Sequence, residues 1–201
     1  MKITSVDQLR ALYGFPSGRS KDKVLSKLEK HSISFIENAP FLVLSSNNAQ
    51  GKLDASPRGG QSGFVKVIDD YQIIIPDAKG NNRLDSLMNI IETGYIGLLF
   101  FIPGVDETLR VNGKAYISTD TAFLELFTSE IHTPKTCIVV NVEAVFLHCA
   151  KAFMRSGLWD LNTQIDRNCF PTMGQMLKDQ LQTDGIPETR DEMVKRYMKD
   201  L

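Results

Sequence analysis

Two hydrophobic periods divide this chain, short strand-like runs in the middle and helical spacing at both ends. Residues 41–46 are apolar and lead into the turn Asn47-Asn48-Ala49-Gln50-Gly51. Residues 52–56 return as a strand into Pro57-Arg58-Gly59-Gly60, and 64–68 and 71–75 flank Asp69-Asp70 as a hairpin. Residues 95–102 are apolar throughout, as in a buried strand, until Pro103-Gly104 breaks them. Long strands follow at 108–118 and 136–147, separated by helical spacing at 121–128. Toward the N-terminus a turn-rich break at 12–19 precedes a helix predicted over 20–37, with Val24, Leu25, Leu28, His31 and Phe35 as its stripe. The tail from 171 returns to helix and is interrupted at Asp184-Gly185-Ile186-Pro187. Adjacent strands with short links predict an antiparallel barrel with flanking helices, an α+β chain. It reads as one domain over 1–201: N-terminal helices at 1–38, a barrel core at 39–160 and a helical tail at 161–201.

The most informative break runs from 71 to 89, YQIIIPDAKGNNRLDSLMN. Pro76-Asp77 ends the strand, and from Leu84 the apolar residues Leu84, Leu87, Met88 and Ile91 take helical spacing. Asn82 is placed to cap that helix and Asp85 to act as the capping acid. Arg83 then falls in the first turn, where the dipole disfavours a cation unless an anion sits across the free N–H groups. Phosphate is the natural candidate, although a loop with a solvated arginine produces the same pattern.

Two more segments are polar where a plain core needs no polarity, 53–60 (LDASPRGG) and 106–115 (DETLRVNGKA). With 71–89 they predict a binding site assembled from separate strands. In 108–117 taken as a strand, Leu109, Val111, Gly113, Ala115 and Ile117 face one way and Thr108, Arg110, Asn112, Lys114 and Tyr116 the other. Asn112-Gly113 is also a hairpin-turn signal, which would cut that strand in two. Lys151 and Arg155, four apart, share a helical face that either is solvated or takes an anion.

Composition narrows the partners. The formal charge is −1 over 201 residues, against the basic surplus of nucleic-acid binders. No apolar run reaches the roughly 18 residues of a membrane span, and the first fifteen residues lack a secretory apolar core, so a cytoplasmic location is expected. Cys137, Cys149 and Cys169 do not make a disulfide framework, and with His31, His132 and His148 scattered, no metal site is expected.

DASPRGG, IIIPDAKGNNRLDSLMNI and IGLLFFIPGVDETLRVNGKA, in this order, resemble the pyridoxamine 5′-phosphate oxidase-like flavin-binding proteins over residues 35–160. The chain is especially similar to a bacterial subgroup with an SPRG segment and a CAKAxxRSxLW segment, here CAKAFMRSGLW at 149–159. The resemblance implies a split β-barrel homodimer holding FMN at the subunit interface and acting on a small-molecule substrate. Carried over position by position, it assigns Ser56 and Arg58 to the first cofactor strand, Ile75 and Pro76 to the flavin ring, and Asn82 and Arg83 to the phosphate. Asn82 replaces a basic residue of the family pattern, and Thr108 replaces a glutamine that contacts the ring. Ser86, Arg110, Lys151, Arg155 and Trp159 complete the expected contacts, with Trp159 able to cover the ring or to serve the core. No Arg-x-His-x-Arg motif matches the tail KRYMKDL, which argues against pyridoxamine phosphate as substrate. The expected activity is an FMN-dependent oxidoreductase. The alternatives are a flavin carrier or sensor, a deazaflavin protein, and a haem-binding split barrel ligated by His132 or His148.

Overall fold

In β1 (Phe41–Asn47) every second side chain is buried, Leu42, Leu44 and Ser46, as a strand with one face on a core requires. A computed structural model of the chain describes residues 2–128 and 133–199. His132 lies outside the described residues. The other strands are β2 (Leu53–Gly59), β3 (Lys66–Asp69), β4 (Gln72–Pro76), β5 (Tyr95–Phe101), β6 (Thr108–Ser118) and β7 (Cys137–His148). Among the described residues they form one antiparallel sheet in the order β2-β1-β5-β6-β7-β4-β3. Hydrogen bonds do not close it, so β2 and β3 are its edges.

The sheet curls around one core in which Leu42, Leu44, Ile73, Ile75, Leu98, Phe100, Leu109, Val111 and Val140 meet. Helix α3 (Lys30–Asn38) packs against β3, β6 and β7 and contributes Ile36 to that core. A second cluster, Ile74, Cys137, Val139 and Phe127, lies on the other face of β4 and β7. It is covered by α5 (Thr121–Leu124) and the 3₁₀ turn Glu125–Phe127, where the sequence predicted a single helix over 121–128.

β6 runs unbroken through Asn112-Gly113, so the hairpin reading gives way to the strand reading. Asn112 pairs with Ala144 and Gly113 with Val142, leaving Glu143 as an extra residue in a bulge of β7. A Cβ on Gly113 would run into the Asn141 carbonyl, so only glycine fits this close approach.

Two helix expectations are corrected. The stretch 20–37 is not one helix: α2 (Arg19–Asp22) ends early, and Leu25 instead pairs with Val145 as an isolated bridge. A new helix, α3, then starts at a capping box in which Glu29 accepts from the Ser32 backbone and Ser32 Oγ from the Glu29 backbone. His31 and Val24 of the expected stripe are exposed, and Ser32 and Ile36 are buried instead. The helix after β4, α4 (Asp85–Thr93), starts three residues beyond Asn82, so Asn82 does not cap it. Its N-cap is Leu84 in the left-handed region, φ 58°, with no side-chain cap, and Asn82 is left-handed too, φ 60°. The later start turns the helix, burying Ser86, Leu87, Asn89 and Ile90 while Leu84, Met88 and Ile91 are exposed.

The remaining helices are α1 (Val6–Tyr13) near the N-terminus, α6 (Lys151–Ser156) after β7, and the tail pair α7 (Met173–Leu181) and α8 (Arg190–Tyr197). No helix among the described residues is long and apolar enough to cross a membrane.

Candidate functional site

Side chains of β2 that pair across to the buried positions of β1 share its inward face. Arg58 lies opposite Leu42, Ser56 opposite Leu44, and Asp54 opposite Ser46. β2 is an edge strand, so these three polar groups rim the core without being sealed in it, and α4 packs over them. Asn89 Nδ2 donates to Ser46 Oγ at 3.0 Å and Thr93 Oγ1 donates to the Asn47 carbonyl at 3.1 Å, fixing α4 on β1. At the other end of the helix Ser86 Oγ donates to Asp54 Oδ2 at 2.6 Å, and Ser56 Oγ donates to the same carboxylate at 3.0 Å. Arg83 Nε donates to Asp85 Oδ2 at 2.8 Å; Asp85, with a smaller contribution from Asp54, favours its charged form.

Arg58 also reaches toward the far side of the curled sheet. Burial pushes the half-buried Asp77 carboxyl, just beyond β4, above its usual range, and the nearby Arg58 cation opposes that shift. Asp77 N–H donates to the Thr136 carbonyl at 3.0 Å, and Thr136 Oγ1 is buried without a partner. The structure thus gathers Ser56, Arg58, Arg83 and Ser86 in one region, with Pro76 adjoining Asp77. The N-terminus of α4 adds first-turn N–H groups that no side chain caps. Two cations, two hydroxyls and uncapped backbone donors fit the phosphate end of a nucleotide, although the Asp54 and Asp85 carboxylates oppose an anion there. Sequence reasoning missed Asp54 and Asp77. Asp54 was findable, since two residues before Ser56 on a strand means the same face.

The other expected residues lie elsewhere. Arg110 is on the outward face of β6, separated from β2 by two strands and about 14 Å across the sheet. Its guanidinium sits 5.4 Å from the Phe146 ring centroid, and it flanks an outward groove of about 390 Å³ with Val43, Ser45, Gly97, Leu99 and Asn112. Thr108 is buried, 5% exposed, and pairs with His148. His148 Nε2 is buried without a partner, and burial, then Arg110 and Lys23, hold its pKa below the ordinary histidine value.

Lys151 and Arg155 are exposed on α6. Trp159 stacks on Phe153 at 5.6 Å and donates its indole N–H to the Val105 carbonyl at 2.9 Å. Phe153 in turn meets Phe101, and Phe101 meets Phe41, each at 5.7 Å, so a line of four aromatic rings pins α6 to the outward side of β1 and β5. One chain therefore carries two separate groups, an inward one at β2 and α4 and an outward one at β6 and α6.

A curled, unclosed antiparallel sheet with helices packed on it defines a split-barrel protein. The chain belongs to the pyridoxamine 5′-phosphate oxidase family, whose model matches residues 28–149. HupZ of Group A Streptococcus shares the fold at a TM-score of 0.50 and 19% identity, over 60% of this chain and 93% of that one. A Clostridium acetobutylicum protein related to general stress protein 26, of the pyridoxinephosphate oxidase family, aligns with a TM-score of 0.45 at 14% identity, over 59% of this chain and 85% of that one. No curated protein matches the chain.

Proposed function

We propose that this protein is an FMN-binding oxidoreductase that works as a homodimer on a small molecule other than pyridoxamine phosphate. The observation that carries the reading is the uncapped N-terminus of α4 held by Ser86 against the Asp54–Ser56–Arg58 row of β2, with Arg83 alongside. Ser56, Arg58, Asn82, Arg83 and Ser86 would hold the phosphate end, and Ile75 and Pro76 would lie along the ring. FMN, when bound, supplies hydride acceptance and donation at its N5. Thr108, Arg110, Lys151, Arg155 and Trp159 belong to the outward group, which a second copy would bring to the inward site. That separation supports a dimer with the cofactor between subunits. Where pyridoxamine phosphate oxidases carry an Arg-x-His-x-Arg strand, this tail forms α7 and α8, which supports a different substrate. A cytoplasmic setting suits three free cysteines, two of them exposed.

The test is the absorption spectrum of the freshly purified protein, followed by titration with FMN. Bands near about 370 and 450 nm with FMN released on denaturation support the reading. A colourless protein that takes up no FMN sinks it. Bound FMN that neither NADH nor NADPH reduces would make the protein a carrier or sensor. One observation favours a second reading, haem binding: the His148 Nε2 is buried without a partner, and burial, Arg110 and Lys23 hold its pKa below the ordinary value. A Soret band that disappears on His148→Ala would support it.

A further inference from the structure

The chain exposes more surface than its mass requires. Its accessible area is 13935 Å², whereas a compact monomer of this 22.5 kDa mass exposes about 9,500 Å². The excess of about 4,400 Å² is concentrated at the chain ends, where every residue from 2 to 27 is exposed and none from 161 to 199 is buried.

The tail is nevertheless built. Thr172 caps α7, and α8 opens with a full capping box between Thr189 and Glu192. Arg196 grips Glu188 through two hydrogen bonds of 2.9 and 2.8 Å. A Cβ on Gly174 would strike the Glu188 backbone, so the two segments are closely fitted. Met173, Leu177 and Leu181 recur at four-residue spacing along α7, and Val194 and Tyr197 on α8, with Met198 at its C-cap, are exposed. A helical pair of this size has no core of its own and needs a surface to cover.

A matching surface lies on the outward side of β1, β2 and β5, where Leu53 is 83% exposed beside Tyr95, Ala55 and Pro57. The tail leaves the core at the rim of that side, because Trp159 is anchored through Phe153 to Phe101 and Phe41. Its own copy does not use it: no residue of α7 or α8 is buried.

We infer that the α7–α8 pair is a dimer clasp, laid by each copy over the outward face of β1, β2 and β5 of a second copy of this chain. One two-fold operation covers both surfaces on both copies, which a foreign partner would not do. The excess area exceeds the roughly 800 Å² that a standard interface takes from each partner. The inference rests on the homodimer of the proposed function and extends it to residues 173–197, beyond the stretch matched by the family model.

Sedimentation velocity across a dilution series, with flavin content read on the same samples, tests it. The full chain is compared with Leu177→Glu/Leu181→Glu and, on the receiving face, Leu53→Glu. These positions are exposed within one copy, and circular dichroism checks that each variant is folded. Each variant is expected to raise the dimer dissociation constant about tenfold or more. A flavin-loaded dimer whose dissociation neither variant changes overturns the clasp and leaves the flavin reading standing. A flavin-free dimer weakened by both variants supports the clasp and removes the flavin reading. A monomeric wild-type chain overturns both.

Discussion

Ser86 Oγ and the Asp54 carboxylate share a 2.6 Å hydrogen bond that joins the first turn of α4 to the edge strand β2. Ser86 is buried and the acceptor is charged, so the bond is of the stronger kind. Ser86→Ala should lower unfolding stability by about 1–3 kcal/mol in a urea titration. A loss below a few tenths would mean that Ser56 alone satisfies Asp54.

Gly113 offers a sharper test of the fold. Alanine there must displace the β7 backbone at Asn141, an overpacking that costs about 3 kcal/mol. Gly104, whose surroundings are open, is the control for placing alanine at a glycine, although its φ of 85° adds a strain of its own. An undisturbed melting curve for Gly113→Ala would show that the bulge is not locked.

Arg83 separates binding from stability. It is exposed and its ion pair with Asp85 is solvated, so Arg83→Ala should leave thermal unfolding unchanged. On the proposed reading the same substitution weakens FMN binding about 10- to 100-fold, as loss of a charge-assisted contact to phosphate does. Equal affinity in a fluorescence titration removes Arg83 from the site.

His148 makes stability depend on pH. Burial, Arg110 and Lys23 hold its pKa below its ordinary value of 6.5. As pH falls through that value the unfolded chain takes up a proton before the folded one does, so stability falls with acid. The contribution is fully present above 6.5 and is lost progressively below it. Urea midpoints at about pH 7.5 and 5 should differ less in His148→Gln than in the wild type. An identical difference in both would assign the slope to other groups.

Much of this architecture was legible in the sequence. Alternation placed the inward face of β6 from Leu109 to Ile117, because burial on one side of a strand enforces a period of two. The start of α4 was misread because Asn82 and Leu84 both adopt positive φ, and leucine in that region is a conformation that tertiary packing imposes against its own preference. The stretch 20–37 failed for a similar reason. Its spacing suits a helix, but Leu25 is recruited to pair with Val145 far along the chain, and local periodicity carries no trace of that partner. The residues expected at the site were gathered from polar segments along the chain and from the family resemblance. Their division between the two sides of the sheet depends on the strand order, which sequence spacing does not encode.

The extra residue Glu143 acts on β7 as an inserted letter acts on a reading frame. On one side of it Ile138, Val140 and Val142 keep time with the core, and beyond it the next core residue is Val145, three positions on rather than two. Removing that one residue would place Val142 and Val145 two positions apart, opposite Gly113 and Val111, so pairing would become regular and Val145 would keep facing the core. A one-residue deletion at the bulge is therefore a different mutation from the same deletion in the regular stretch from Ile138 to Val142. The first keeps the amino acids that the barrel interior receives, whereas the second exchanges the inward and outward faces on one side of the cut.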